Sequence, residues 1–403
     1  MKTSKTISLM TLLAFAAGAS SLPADPVESF FDEQFGKLES SVPGKFSLNL
    51  RSRYEIFDLD NGNAALDRDG SSVRVRFGYT TPDFNGFTAM AEGETLSRIG
   101  GEPNDIHPLD AAGDGSDINQ LWVQYANADF GKAKVGRQIY TLDDHRFIGH
   151  VGWRQNIQTF DAATVDFTAI DKVSVKAFYS DAVNRVNGDY FVMDTYGVNI
   201  STKFTPALAL SFFYYELDKA DNAAFENETF GLRATGTVSY LDQSFKYAFS
   251  GAEQDFEDGD AGYLAGDLST AVNGLTIGGG FEILEPGFRT PVATVHKFNG
   301  FADALLPITG FTDGLKDFYA YLGYKIPVGK GIPVKLIYHD FSPETDNDPA
   351  RDGGTEIDLV ASYKLNKYAT LVTKYGDYSE DGGVGNAGGF DKQMFTLEMN
   401  FVY

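Results

Sequence analysis

The sequence predicts an all-β chain, a transmembrane up-and-down antiparallel β-barrel of about eighteen strands, and three observations lead to it. From Lys45 to Tyr403 polar and apolar residues alternate with period two, as in Phe46, Leu48, Leu50, Tyr54 and Ile56 against Lys45, Ser47, Asn49, Arg51, Arg53 and Glu55. Long polar connections and brief turns then follow one another in strict alternation. Finally, aromatic residues crowd the apolar faces near the strand ends, and Phe395, Leu397, Met399, Phe401 and Tyr403 alternate to a terminal aromatic residue. That last strand resembles the signal by which outer-membrane barrels are recognised for assembly.

The chain divides into three parts. Residues 1–21 read as a secretory signal peptide: Lys2 and Lys5 precede an apolar stretch from Ile7 to Ala17, and Ala17-Gly18-Ala19 offers small residues for cleavage. Residues 22–44 hold one amphipathic helix, with Val27, Phe30, Phe31, Phe35 and Leu38 in helical spacing and Pro43-Gly44 ending it. Its expected role is packing against the barrel rim, with a plug or a periplasmic partner contact as alternatives. Residues 45–403 form the barrel.

Strands are expected near 45–56, 73–79, 87–96, 118–125, 132–138, 160–167, 173–182, 195–202, 208–216, 229–239, 245–250, 261–270, 275–284, 315–326, 332–341, 355–365, 369–378 and 393–403. Long connections are expected at 58–70, 97–116, 139–159, 183–194, 217–228, 253–260, 285–314, 342–354 and 379–392, with tight turns between them. Asn273-Gly274 is the clearest hairpin turn. Closure lets a lipid-facing sheet satisfy all its backbone groups. A barrel of this size is too wide for wall side chains to fill, so it is a channel or is plugged by its own loops or helix.

Composition bounds the rest. The 403 residues carry 33 Lys and Arg against 56 Asp and Glu, a formal charge of -23, and no cysteine. Disulfide frameworks and thiolate-bound metals are excluded, and general nucleic-acid binding is disfavoured. With the apolar face towards lipid, Arg51, Arg53, Arg74, Arg76, Lys134 and Lys246 point into the lumen together with Glu92 and Glu94. A wall richer in cations than the acidic chain as a whole predicts attraction of anionic solutes. Arginine on the first two strands adds a fork that binds carboxylates bidentately.

Two blocks carry a family resemblance. Gly136-Arg137-Gln138, Asp143-Asp144-His145-Arg146, Gly149-His150, Trp153-Arg154-Gln155-Asn156 and Thr159-Phe160-Asp161 form the first. Thr294-Val295-His296-Lys297-Phe298-Asn299-Gly300-Phe301-Ala302-Asp303 with Leu315-Lys316-Asp317 forms the second. With these the chain resembles the alginate export family of outer-membrane barrels, whose type member exports an anionic uronic-acid polysaccharide through an arginine-rich constriction. The resemblance implies that Arg137, Arg146 and Arg154 stand near the constriction, with Asp161 as countercharge and His296, Lys297 and Asp303 on the second block's loop.

No catalytic motif is present: the five histidines lack a serine partner pattern, and His145 with His150 suits no metal. Asp58, Asp60 and Asn61-Gly62-Asn63 only faintly resemble a calcium loop. The expectation is therefore a non-enzymatic porin without cofactor or metal, in the outer membrane of a Gram-negative-type bacterium, passing hydrophilic, preferentially anionic solutes. Expected partners are membrane lipid and lipopolysaccharide, the barrel-assembly machinery and the anionic solute. A dedicated polysaccharide exporter is the first alternative, and a secreted β-sandwich binding protein the second.

Overall fold

A computed structural model describes residues 25–60, 67–101, 106–345, 352–384 and 387–403. The proposed signal peptide, and Asn61-Gly62-Asn63 of the faint calcium loop, lie outside the described residues. Eighteen antiparallel strands close into one barrel: β1 (Lys45–Leu59), β2 (Arg68–Thr80), β3 (Phe87–Arg98), β4 (Gly115–Asn127), β5 (Gly131–Gln138), β6 (Thr159–Phe167), β7 (Val173–Asn184), β8 (Tyr190–Thr205), β9 (Leu208–Asp218), β10 (Asn227–Tyr240), β11 (Gln243–Phe256), β12 (Gly259–Val272), β13 (Leu275–Leu284), β14 (Leu315–Ile326), β15 (Ile332–Ser342), β16 (Gly354–Lys364), β17 (Ala369–Ser379) and β18 (Lys392–Val402). Each pairs with its sequence neighbours, and β1 closes the ring against β18, with Arg53 opposite Glu398 and Leu50 opposite Phe401. Every strand predicted from the alternation is present, and the fold is that of an outer-membrane barrel.

The wall sorts its side chains by parity. Phe77, Leu121, Val123, Val135, Phe212, Phe249, Leu322 and Ile357 stand out as exposed apolar groups, whereas Arg53, Arg74, Glu282 and Asp358 are buried inside. In the Asn273-Gly274 turn both residues have positive φ, 50° and 82°, as the two-residue hairpin requires. The polar connection expected at 253–260 is shorter than its sequence implied: β11 continues to Phe256 and β12 starts at Gly259, with Asp255 paired opposite Asp260.

Helix α1 (Asp25–Ser41) lies at the rim that carries the tight turns, the periplasmic rim of such a barrel. Phe31 meets Phe401 with ring centroids 4.4 Å apart, and Phe35 stacks on Tyr403 at 3.9 Å. Asp32 pairs with Lys367 at 2.5 Å, and the Lys367 amide donates to Glu28 at 2.8 Å. The helix that precedes β1 thereby rests on the end of β18, across the seam where the barrel closes.

The lumen is not uniformly wet. On β9 the run Phe212-Phe213-Tyr214-Tyr215 is apolar on both faces, and Phe213 and Tyr215 join Phe178, Tyr263, Tyr140, Leu142, Ile148 and Phe288 in an internal core. Residues 139–158 and 285–314, both connections at the extracellular end, fold into the barrel and supply the other half of that core.

Candidate functional site: a loop septum across the lumen

Segment 139–158 touches inward-facing groups on nearly opposite walls. On the β1–β2 side Arg51 donates to the carbonyls of Gly152, Trp153 and Arg154 at 2.9–3.2 Å. Arg53 donates to the Trp153 carbonyl and stacks over its indole, 4.4 Å from the centroid. Arg74 and Arg76 donate to the Gln155 carbonyl at 2.9 and 3.3 Å. On the far side Arg146 forms a bidentate pair with Glu282 of β13, both bonds 2.8 Å. Asn199 of β8 donates to Asp143 at 2.6 Å, and Arg233 of β10 pairs with Asp144 at 2.6 Å.

The second segment completes the septum. Its Asp303 accepts from Arg154 at 2.6 Å and pairs with His296 at 2.8 Å, while Lys392 of β18 donates to its carbonyl at 2.6 Å. Trp153 stacks on His296 with centroids 4.2 Å apart and planes 2° from parallel, and Lys374 of β17 sits 3.7 Å above the indole. The amides of Phe301 and Ala302 donate to Asp358 and Glu356 of β16. Burial, with Lys374 and Arg154 close by, pushes His296 down to about 3 against the pull of Asp303. Burial also pulls the Asp303 carboxyl up, but His296 and Arg154 hold it well below the usual carboxylate range.

These contacts redistribute the roles read from sequence. The four arginines of β1 and β2 do face inward, yet they are committed: Arg53 pairs with Glu398 at 2.6 Å and Asp110 at 3.3 Å, Arg51 lies 3.7 Å from Glu398, and Arg76 pairs with Glu94. Arg53 and Arg74 are each 1 % exposed, so they offer no open face to a solute. Glu92 is likewise occupied, accepting from Asn119 and Gln120 at 2.6 and 3.0 Å. Arg146, Arg154 and His296 are buried inside the septum, whereas Lys297 is exposed and donates to the Asp144 carbonyl at 2.8 Å. Lys134 and Lys246 line the wall nearer the periplasmic turns, Lys134 resting 4.2 Å over Trp122.

Arg137 and Asp161 require a correction. They form a bidentate pair at 2.7 and 2.9 Å, but Arg137 stands opposite Leu121, which is 53 % exposed, and next but one to Val135, 63 % exposed. Both residues therefore face away from the lumen, near the extracellular rim, where the Tyr190 hydroxyl donates to Asp161 at 2.5 Å. The parity that points Lys132 and Lys134 inward turns Arg137 outward.

Beside the septum lies a cavity of about 360 Å³ between residues 297–301 and the wall from β10 to β16. Arg233, Lys297 and Lys335 are its cations, Asp144, Asp267, Glu282, Asp317 and Asp358 its carboxylates, and Tyr263, Phe281, Tyr319, Tyr321, Phe298 and Phe301 its rings. The two tyrosines donate to Asp267 at 3.2 and 3.1 Å. They fit because β13 is bare beneath them: a Cβ on Gly278 would lie 2.3 Å from the Tyr321 ring, and one on Gly280 2.6 Å from the Tyr319 hydroxyl. Lys335 rests 3.8 Å over Tyr321. Among the described residues neither Lys335 nor Lys297 has a carboxylate within ion-pairing distance. Lys335 was legible as an inward residue of β15; the tyrosine pair was not, since nothing in one strand announces a glycine platform on its neighbour.

The family described as alginate export matches residues 42–263. No curated protein matches the chain. Solved structures of the same fold include OpdL of Pseudomonas aeruginosa, at 14% identity and a TM-score of 0.69, covering 90% of this chain and 99% of that one. OpdK of the same organism, solved with vanillate, has the same identity, TM-score and coverage. OccAB2 of Acinetobacter baumannii matches at 12% identity and a TM-score of 0.71, covering 89% of this chain and 98% of its own.

Proposed function

From the premise that this chain belongs to the alginate export family, we infer that it is an outer-membrane porin passing small, hydrophilic, preferentially anionic solutes down their gradient. The observation that carries the reading is the cavity of about 360 Å³, where among the described residues Lys297 and Lys335 have no carboxylate within ion-pairing distance, while the carboxylates of its lining are bonded to Arg233, Arg146, His339, the two tyrosines and the Phe301 amide. That volume suits one small molecule. A lysine over a ring, in a wall shielded from bulk water, attracts a carboxylate while the ring covers the solute's apolar face. Vanillate, the ligand solved with OpdK, is a solute of this kind, and an acidic sugar is another.

On this reading the arginines of β1 and β2 hold segment 139–158 in place, and the solute passes on the opposite side. Arg137 and Asp161 belong to the outer rim. Outer-membrane lipid surrounds the wall, and lipopolysaccharide and the assembly machinery are the further partners this location implies.

The test is single-channel recording of the refolded protein in a planar bilayer under a salt gradient, with vanillate and uronic-acid oligomers added in turn. Anion-selective steps blocked by the small acid support a porin. Steps that appear only with oligomers, from a protein otherwise shut, would replace it by the exporter reading. Cation-selective steps would refute it outright.

A further inference from the structure

The charged residues of the lumen are sorted along the barrel axis as well as around it. Besides Lys132, the lysines that point inward from the half of the wall that ends in the tight turns include six: Lys134 on β5, Lys176 on β7, Lys203 on β8, Lys246 on β11, Lys335 on β15 and Lys364 on β16. Their inward direction follows from register. Lys134 is opposite Thr164, Lys176 is opposite Asn199, and both partners are buried inside; Lys246 and Lys364 share parity with Ser250 and Asp358, which face the cavity. Lys203, Lys246 and Lys364 are exposed, the other three half-buried. Among the described residues none of the six has a carboxylate within ion-pairing distance. The inward carboxylate nearest the turns, Asp166, is taken by Lys132 at 3.0 Å. Single aspartates, Asp83, Asp129, Asp171 and Asp242, sit in the turns at the rim rather than on the wall.

Above the septum the sign reverses. Glu282, Asp317, Glu356 and Asp358 are buried against the two segments at the septum, and beyond it Asp255, Glu257, Asp258 and Asp260 crowd the extracellular β11–β12 end. The kind of cation changes too. Where the wall holds a loop by fixed bonds to carbonyls, the residue is mostly arginine, whose planar fork is preorganised, with Lys392 of β18 an exception; towards the turns it is lysine, a hydrated point charge on a flexible stem. Flexible hydrated charges make poor anchors and good transient sites.

We propose that the periplasmic half of the lumen is a vestibule that captures multiply charged anions from the periplasmic side, and that this axial asymmetry makes the channel rectify. The proposal rests on the channel reading but not on the identity of the solute. An anion with several carboxylates or phosphates spans several lysines at once, so its local concentration there exceeds that of a monovalent acid. From the extracellular side the same anion meets the acidic β11–β12 end first.

The test uses the full barrel in planar bilayers, with inorganic tripolyphosphate as the probe and chloride as the monovalent reference. The chain has no cysteine, so an Asp258→Cys variant reacting with an impermeant thiol reagent marks the extracellular chamber. Block from the periplasmic chamber at least tenfold stronger than from the extracellular one, with an asymmetric current–voltage curve, is expected. The combined variant Lys134→Gln, Lys176→Gln, Lys246→Gln and Lys364→Gln should lose most of that asymmetry while keeping open steps and the heat-modifiable mobility of a folded barrel. Equal block from both sides, or asymmetry that survives the four substitutions, overturns the vestibule while leaving the porin standing. A barrel with no anion selectivity in chloride alone fails the porin reading first, and the two failures are distinct.

Discussion

The bidentate bond between Arg146 and Glu282 is the main polar tie of segment 139–158 to β13 among the described residues. In Arg146→Met the stem remains against Phe298 while the charge goes, and Glu282 keeps only Asn299 and the Tyr263 hydroxyl as donors, each at 2.8 Å. Removing one partner of a buried pair costs about 3–5 kcal/mol. At 1.4 kcal/mol per decade, the population of undocked segment rises by roughly two to three and a half powers of ten. Chymotryptic cleavage at Phe147 and Trp153 in the intact barrel reads that population, provided reclosing is faster than cutting. Adding Glu282→Gln to the same chain removes the orphaned charge and keeps one acceptor oxygen for Asn299 or Tyr263, so part of the loss should be recovered. Cleavage of Arg146→Met at the wild-type rate would mean that the pair does not hold the segment, and the septum would then depend on the β1–β2 side with the Asn199–Asp143 and Arg233–Asp144 contacts.

Three further outcomes follow from the same contacts. Replacing Arg74 and Arg76 by Ser should leave reversal potential nearly unchanged while making the current noisier, because those side chains hold the Gln155 carbonyl; a large loss of anion preference with quiet steps would return them to the solute path. Lys335→Gln with Lys297→Gln should do the reverse, shifting the reversal potential towards neutrality without added noise. Phe31→Ala with Phe35→Ala removes rings stacked on the end of β18, each worth roughly 1.5–3 kcal/mol when fully buried and less here; the temperature at which heat-modifiable mobility is lost should fall by several degrees.

The pH dependence of docking can be signed. His296 sits near 3 in the septum, below its free value of about 6.5, and Asp303 lies below its own free value, so the docked state binds fewer protons than the free segments. Docking is therefore at full strength above about pH 6.5 and weakens as pH falls towards 3. The charges facing His296 are Asp303 and Arg154 from the two segments and Lys374 from β17. Trp153 stacks on His296, and the chain has only one other tryptophan, so its emission in a Trp122→Phe background reports the transition. Emission flat between pH 7 and 4 would sink the assignment.

Much of the fold was legible because a membrane wall has one simple rule, lipid on one face and lumen on the other, and period two records it strand by strand. Asn273-Gly274 needed no more than its two residue types. Arg137 was legible in principle: counting parity from Lys132 and Lys134 turns it outward, and only the family resemblance placed it inside. The septum was not legible, since its bonds join residues far apart in sequence, Arg51 to Gly152 across 101 positions and Arg146 to Glu282 across 136, and no local pattern encodes such pairs. One local sign did exist. At Phe212-Phe213-Tyr214-Tyr215 the alternation fails, and an inner face that is apolar must be covered by something other than water.

That covering explains why so much charge is buried in a lumen that could have stayed wet. A loop laid across a barrel must displace water from backbone carbonyls on its underside, and each left unpaired costs about 1–3 kcal/mol. Arginines on β1 and β2 supply several donors each, so a single side chain satisfies Gly152, Trp153 and Arg154 together. Burying those cations is costly in turn, and Glu398, Asp110 and Glu94 offset it at close range. Neutralised in this way, the arginine wall has little field left for a solute. The attraction passes to cations without such partners, Lys335 and Lys297 beside the cavity and the lysines below it, and selectivity follows them rather than the denser cluster that the sequence displays.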